Sequence, residues 1–190
     1  MFWIWFYNFV PAPQPTVARS GPVVTVKPEN GPPVALAQQV QVMPSGLAIP
    51  VVGIKADQLT DTFDAARSQG RRHDAIDIMS AEGTPVIATA DGTIEKLFTS
   101  VRGGLTIYER SPDKKWEYYY AHLSAYAPGV HEGQQIKRGE VIGRVGHTGD
   151  ASANGPHLHF AINTMGPTDR WWNGTAINPY PLLAGKKVNG

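Results

Sequence analysis

Short runs of β-branched and aromatic residues alternate with glycine turns along most of this chain. From about Gly46 onward these runs include TPVIAT, GTIEKLF, GLTIYER, WEYYYAHL and HLHFAIN. Turn signals recur roughly every 8–12 residues, which is typical of an all-β sandwich or barrel. No segment carries a long apolar stripe with helical spacing. The pattern therefore predicts a compact antiparallel β-sandwich with at most one short helix, which we place over Ala56–Arg67.

Two segments of this β-rich region resemble each other. Glu82–Ile94 and Glu132–Gly143 share an opening of Glu-Gly, two variable residues and a Val or Ile, followed by a later glycine turn. The similarity is too short to indicate a solenoid repeat. It predicts two similar β-hairpin units within one sandwich.

The N-terminal quarter of the chain has a different character. Residues 1–10, MFWIWFYNFV, are almost wholly apolar but lack the basic region of a signal peptide. They are also too short for a bilayer, which needs about 20 apolar residues. We interpret them as the remnant of a membrane anchor or export signal, with a short docking strand as the alternative. Residues 11–45 hold eight of the sixteen prolines, a density that favours an extended linker.

The composition limits the classes of function. The chain has 190 residues, 42% hydrophobic and 17% charged, which suits one packed domain plus a proline-rich tail. Its net charge of +1 gives no general attraction to nucleic acid, and we expect no nucleic-acid partner. It has no cysteines, which excludes disulfides and any cysteine-based zinc site. Recognition must therefore come from a local site.

The first chemical signal is the stretch GPHLHF. Side chains alternate across a strand, so His157 and His159 share one face while Leu158 and Phe160 share the other. Taken alone, two such histidines favour a surface strand with two solvated rings. Their context changes this interpretation.

Further imidazoles and a carboxylate lie in apolar surroundings elsewhere. RRHDAIDIM supplies His73 and Asp77, and YYYAHLSAY supplies His122. A catalytic zinc ion usually takes three such groups and a water molecule. His73, Asp77 and one of His157 and His159 would meet that requirement. There is no His-Glu-x-x-His motif to supply a glutamate base, so an unligated histidine is the candidate for moving protons.

Several longer segments resemble the lysostaphin-type zinc metallopeptidases, which are peptidoglycan endopeptidases with a compact antiparallel β-fold. They are RRHDAIDIMSAEGTPVIATADGTI, YYAHLSAY, GEVIGRVGHTGDASANGPHLHFAI and INPYPLL. The resemblance implies that His73, Asp77 and His159 bind zinc. It also implies that His122 and His157 are catalytic, one taking a proton from water and the other donating to the oxyanion. Strand alternation alone does not choose His159 over His157 as the ligand.

The resemblance extends from about residue 48 to residue 183 and implies an enzymatic domain over residues 46–185. Its implied activity is zinc-dependent hydrolysis of peptide cross-links in bacterial peptidoglycan, at either glycine bridges or D-alanyl cross-links. Its implied location is the cell envelope, either periplasmic or anchored to the membrane. The chain departs from frequent family residues at Asp64, Ala75 and Ala161. We expect these departures to affect substrate preference.

The sequence also leaves alternatives for the function and for several other residues. The alternatives are a non-catalytic relative that activates other wall enzymes, an iron oxygenase and a lipoyl-type carrier module. The oxygenase disagrees with the His-Asp spacing, and the carrier leaves the histidines unexplained. We expect His131 and His147 to be surface residues and Arg71-Arg72 to be a solvated charge pair. Trp171-Trp172 either wall a groove or cap the core.

Overall fold

A computed structural model describes residues 39–66 and 72–185 of the chain. The described residues contain ten strands: β1 Ile76–Met79, β2 Pro85–Ile87, β3 Gly92–Ser100, β4 Gly104–Arg110, β5 Trp116–Leu123, β6 Ala125–Tyr126, β7 Gln135–Ile136, β8 Val141–Arg144, β9 His157–Thr164 and β10 Thr175–Ile177. A four-residue helix, α1, spans Tyr180–Leu183 near the end of the described chain. The predicted apolar segment 1–10 and most of the predicted linker lie outside these residues.

The strands form two antiparallel sheets. The large sheet has the order β1-β9-β5-β4-β3-β7, and β10 also pairs with β9. The small sheet has the order β2-β8-β6. One hydrophobic core contains side chains from both sheets. The prediction of an all-β antiparallel fold is therefore confirmed.

Strand β9 shows how the core is built. Leu158, Phe160 and Ile162 alternate along it and are almost completely buried. They join Tyr120 from β5 and Ile142 from β8 in the core. Burying an apolar side chain of this size stabilises the fold by about 1.5–3 kcal/mol. The opposite face of the large sheet is thereby left for other side chains.

The two similar segments are not hairpins, and that prediction was wrong. Within Glu82–Ile94, β2 joins the small sheet while β3 joins the large one. Within Glu132–Gly143, β7 joins the large sheet and β8 begins in the small one. The turn in each segment carries the chain from one sheet to the other. As a result the two segments pair with each other, β2 with β8 and β3 with β7.

The helix predicted over Ala56–Arg67 is much shorter in the described residues. Only a three-residue 3-10 helix, Ala56–Gln58, is present there. The backbone becomes extended at Leu59, and the Asp61 carboxylate accepts a hydrogen bond from the Phe63 N–H over 3.2 Å. Short polar side chains compete in this way with the backbone bonds of a helix. Residue 67 itself lies outside the described range.

The described residues before Gly46 form a tight turn against the domain. The Met43 N–H donates to the Leu47 carbonyl over 2.8 Å, and the Ile49 N–H donates to the Gln41 carbonyl over 3.0 Å. The predicted domain boundary at residue 46 falls inside this turn. None of the helices in the described residues has the length and apolarity of a membrane span.

A carboxyl group is buried in this domain at Glu109, which is 0% exposed. The Tyr120 hydroxyl donates to one of its oxygens, and the same hydroxyl accepts from the Thr89 N–H over 2.9 Å. The other oxygen, Oε1, has no hydrogen-bond partner among the described residues. Burial raises the pKa of Glu109 to about 8, and the Tyr120 hydrogen bond opposes this only in part. The group is therefore mainly protonated in the folded protein at neutral pH.

This burial predicts a specific pH dependence for Glu109→Gln. An unfolded glutamate loses its proton near pH 4.5, whereas the folded one keeps it to about pH 8. The wild type therefore loses stability as pH rises through this interval, on the order of a few kcal/mol. Glutamine does not titrate. The stability of the variant minus that of wild type should therefore be larger at pH 8 than at pH 5. Thermal denaturation at both values measures the gain.

The control is Asp57→Asn, at an exposed carboxylate on the short 3-10 helix Ala56–Gln58. Its stability difference from wild type should be nearly the same at both pH values. An equal difference for Glu109→Gln at pH 5 and pH 8 would contradict the role given to its burial.

Candidate metal centre and active site

Three possible ligand atoms converge on the face of the large sheet opposite the core. His73 Nε2 lies 3.0 Å from His159 Nδ1 and 3.1 Å from Asp77 Oδ1. His159 Nδ1 lies 3.1 Å from the same Asp77 oxygen. These three residues form a group that could hold a metal ion. Ligands bound about 2.0–2.1 Å from a tetrahedral zinc ion stand roughly 3.3 Å apart, so the spacing fits.

The fold and one threonine position these three candidate ligands. Asp77 and His159 face each other as cross-strand partners on β1 and β9, and His73 lies just before β1. The His73 Nδ1–H donates to the Thr62 carbonyl over 2.7 Å, which leaves Nε2 with its lone pair. The Thr62 hydroxyl accepts from the Asp77 N–H over 3.0 Å. His73 Nε2 and the Asp77 oxygen are then two close acceptors, an arrangement that a cation between them stabilises.

Two further histidines stand beside this cluster. The ring centroid of His122 lies 5.0 Å from that of His157 and 5.5 Å from that of His159. His122 Nδ1–H donates to the Thr148 carbonyl, and His157 Nδ1–H donates to the Gly155 carbonyl, each over 2.8 Å. In the neutral rings Nε2 is therefore the acceptor atom. His157 Nε2 lies 3.7 Å from Asp77 Oδ1, next to the ligand group.

A change in strand geometry brings His122 to this face. Tyr118 and Tyr120 on β5 point into the core, so simple alternation would also send His122 there. Instead its φ is +60°, and the pairing of β4 with β5 shifts register nearby, between Leu105 and Ile107. Such irregularities redirect side chains and are frequent next to active sites. Leu123 occupies the core in place of His122 and is fully buried.

The surroundings of His122 influence its protonation. Burial lowers the pKa of this imidazole below its usual value. The hydrogen bond to Thr148 opposes that effect, and the adjacent His159 and His157 rings add to it. The ring is therefore neutral near pH 7, with the Nε2 lone pair available.

A groove of about 870 Å³ runs past these histidines. Trp171 and Trp172 both line it, which decides between the two interpretations of this pair. Trp171 packs against Phe98 and Tyr108 with ring centroids 5.1 and 4.7 Å away, and Trp172 is 55% exposed. The tryptophans thus form a wall of the groove.

The remaining sequence candidates lie at its margin or away from it. His131 is exposed, and its Nδ1 contacts the Gly129 carbonyl at 2.9 Å. His147 lies 3.1 Å from Glu82 and is not among the groove residues. Arg72 lines the groove and lies 3.4 Å from Asp64. Arg71 lies outside the described residues.

Sequence reasoning missed several groove residues and both threonines that orient the histidines. The missed groove residues include Arg102, Tyr108, Glu117, Tyr119, Asp150 and Asn163. Glu117 and Tyr119 belong to the WEYYYAHL run, where alternation with the apolar positions could have placed them on one face. No local pattern marks Thr62 or Thr148, because each acts through a contact distant in sequence.

An antiparallel β-domain with a His-Asp-His cluster beside a groove fits a metal-dependent enzyme. Comparison with known proteins then identifies the family. The sequence profile described as peptidase family M23 matches residues 71–179. This stretch is more than half of the chain and includes the cluster and both flanking histidines. The chain belongs to peptidase family M23, which confirms the resemblance to lysostaphin-type enzymes.

Individual relatives agree with this assignment. The chain is 34% identical over 126 residues to an L-Ala–D-Glu endopeptidase of Bacillus subtilis, a match covering 63% of this chain and 37% of that protein. It is 37% identical over 115 residues to a glycyl-glycine endopeptidase of Staphylococcus capitis, covering 60% and 30%. The chain thus spans only 37% and 30% of the length of these two relatives.

A solved structure shows the same fold. The catalytic domain of lysostaphin from Staphylococcus simulans aligns with a TM-score of 0.57 and 29% identity. The alignment covers 67% of this chain and 94% of that domain. The correspondence is therefore to nearly the whole of a compact peptidase domain.

We predict that Gly149→Ala disturbs the site through Thr148, whose carbonyl holds His122. Gly149 has a φ of +79°, and an added Cβ would lie 2.0 Å from the Arg102 carbonyl oxygen. The backbone carrying Thr148 must then shift, so both stability and the His122 hydrogen bond should be lost. Denaturant unfolding measures the stability, and nitrogen NMR of the imidazole measures the tautomer of His122.

Gly129→Ala is the matched control, because Gly129 has a φ of +85° with nothing within 4 Å of the added Cβ. It should cost only the left-handed strain, about 1–2 kcal/mol, and leave His122 unchanged. Equal losses in the two variants, with an unchanged His122 spectrum in both, would contradict this account.

Proposed function

We propose that this protein is a zinc-dependent endopeptidase that hydrolyses peptide cross-links of bacterial peptidoglycan. The observation that carries the proposal is the convergence of His73 Nε2, Asp77 Oδ1 and His159 Nδ1 within 3.0–3.1 Å of one another, beside a groove. Membership of a peptidase family supports hydrolysis of a peptide bond. Two relatives named as endopeptidases, one acting on L-Ala–D-Glu and one on glycyl-glycine, support a wall peptide as substrate.

The donor set favours zinc. Two neutral imidazoles and one carboxylate match the ligands of catalytic zinc sites, which keep a further position open. When bound, zinc lowers the pKa of a water molecule and polarises the carbonyl that the water attacks. In this proposal His73, Asp77 and His159 hold the ion, and Thr62 keeps His73 and Asp77 in place.

His122 and His157 are proposed to move the protons. Their Nδ1–H groups are held by backbone carbonyls, so each neutral ring presents Nε2 to the groove side of the cluster. One Nε2 accepts the proton of the attacking water, and the resulting imidazolium can pass it to the leaving amine. The other histidine, when protonated, donates a hydrogen bond to the developing oxyanion.

The substrate class also suggests where the protein acts. Peptidoglycan lies outside the cytoplasmic membrane, so we propose that the enzyme works in the cell envelope. Residues 1–10 and 11–45 are proposed to act as anchor or export segment and as linker. The presence of all five site residues favours a catalytic role over a non-catalytic activator.

The metal role is tested by comparing His159→Ala with His131→Ala. The purified His159→Ala variant should bind substantially less zinc, because it loses one of three protein ligands. His131 is exposed and belongs to neither the cluster nor the groove lining, so its variant should keep the wild-type metal content. Elemental analysis after dialysis measures zinc per chain. Full zinc in His159→Ala would overturn this ligand assignment.

The catalytic role is tested with His157→Ala and with His122→Ala. Each variant should keep zinc but lose about 10²–10⁴-fold in turnover, the usual contribution of a general acid or base. Cleavage is followed by mass spectrometry of fragments released from glycine-bridged and directly cross-linked peptidoglycan. Zinc-loaded wild type that releases no fragments from either wall type would refute the proposed function.

A further inference from the structure

The groove continues beyond the candidate metal centre along strands β5 and β9. Their register pairs Ala121 with His159 and, farther along, Glu117 with Asn163. Glu117 and Asn163 both line the groove. At roughly 3.3 Å per residue, four residues of strand separate this pair from the level of His159 by about 13 Å. An extended peptide covers this distance with about four residues, so one bound chain can reach both places.

Glu117 is an acidic residue with incomplete charge compensation. Its side chain is 1% exposed, yet its two hydrogen bonds, from Arg110 Nη2 and from Asn163 Nδ2, are both 3.4 Å long. Arg110 makes its shorter contact with Glu95, through Nε. One guanidinium therefore faces two carboxylates. When all three groups are ionised, this trio carries one uncompensated negative charge.

The electrostatics of Glu117 agree with this geometry. Burial raises its pKa to about 8, and the attraction of Arg110 offsets the burial only in part. Glu95 adds to the increase. In the free protein at neutral pH the carboxyl group is therefore mainly protonated, and a cationic ligand would supply the partner that its ionised form lacks. Hydrogen bonds between charged groups are also stronger than those between neutral groups, more so where water is excluded.

Strands β5 and β9 form an uncharged stretch of the groove between the candidate metal centre and the Glu117–Asn163 pair. Ala161 on β9 and its cross-strand partner Tyr119 on β5 lie between the levels of His159 and Asn163, and both line the groove. On these two strands no charged residue lies between the level of His159 and that of Glu117. The amide oxygen of Asn163 offers a second acceptor at the same level.

We propose that Glu117 and Asn163 form a subsite for a primary ammonium group of the substrate chain. The ammonium would lie about 13 Å along the groove from the scissile bond. An ammonium group has three donors and no acceptor, which suits a carboxylate and an amide oxygen side by side. This inference rests on the proposed function, because it places the substrate chain in the same groove.

The test compares soluble peptidoglycan fragments with the same fragments after acetylation of their free amines. Wild type should cleave the native fragments with a kcat/KM about tenfold or more higher, the usual effect of a hydrogen bond to a charged group. Glu117→Gln, which keeps the shape but cannot ionise when an ammonium group binds, should cleave both at the lower rate. An active Glu117→Gln variant that keeps the wild-type preference would overturn the subsite.

Two further variants sharpen this result. Glu95→Gln removes the carboxylate that shares Arg110 with Glu117 but does not line this groove. Arg110 then faces Glu117 alone, so the preference for native fragments should be reduced but not lost. Asn163→Asp adds a second carboxylate at the subsite and should increase the preference. A preference lost equally in Glu95→Gln and Glu117→Gln, or unchanged in Asn163→Asp, would count against direct contact with the ammonium.

Binding measured without turnover separates this inference from the proposed function. Calorimetry with His157→Ala should show tighter binding of native than of acetylated fragments, and adding Glu117→Gln should remove the difference. Equal binding of both fragments to His157→Ala would overturn the subsite even if wild type cleaves peptidoglycan. A difference that depends on Glu117, in a protein whose wild type cleaves nothing, would keep the subsite and refute the endopeptidase proposal.

Discussion

The division of strand β9 into two faces is the constraint on which the site depends. Leu158 and Phe160 are completely buried between the sheets, while His157 and His159 project from the other face. A slip of one residue would bury the histidines and expose the apolar side chains. Hydrophobic burial therefore fixes the register that places His159 opposite Asp77. The core and the candidate metal centre are two consequences of the same alternation.

The neighbouring strand contributes by interrupting that alternation. His122 reaches the groove only because its backbone adopts a left-handed conformation that costs non-glycine residues about 1–2 kcal/mol. Tyr120 before it and Leu123 after it are both buried in the core, so packing on either side holds the irregular residue between them. The His122 N–H is also satisfied, donating to the Gly103 carbonyl over 2.8 Å. Regular packing thus supports a locally unfavourable backbone where the chemistry requires it.

The sequence predicted those features that depend on residues close together in the chain. Alternation predicted the strands and the shared face of His157 and His159, because side-chain direction in a regular strand depends only on spacing. It could not place His122, since the register shift between β4 and β5 involves two strands. It also failed for the two similar segments, whose short strands enter different sheets. Partners such as Thr62 act across the fold and leave no mark beside the residues they orient.

The distance along the chain between the candidate ligands has a consequence for when the site comes into existence. His73 and His159 are 86 residues apart, and they meet only when β1 pairs with β9. During synthesis His73 leaves the ribosome long before His159, and most of the domain lies between them. Contacts between such distant residues form slowly because a large loop must close first. The groove can therefore acquire its full set of ligand atoms only after nearly the entire domain has been made and folded.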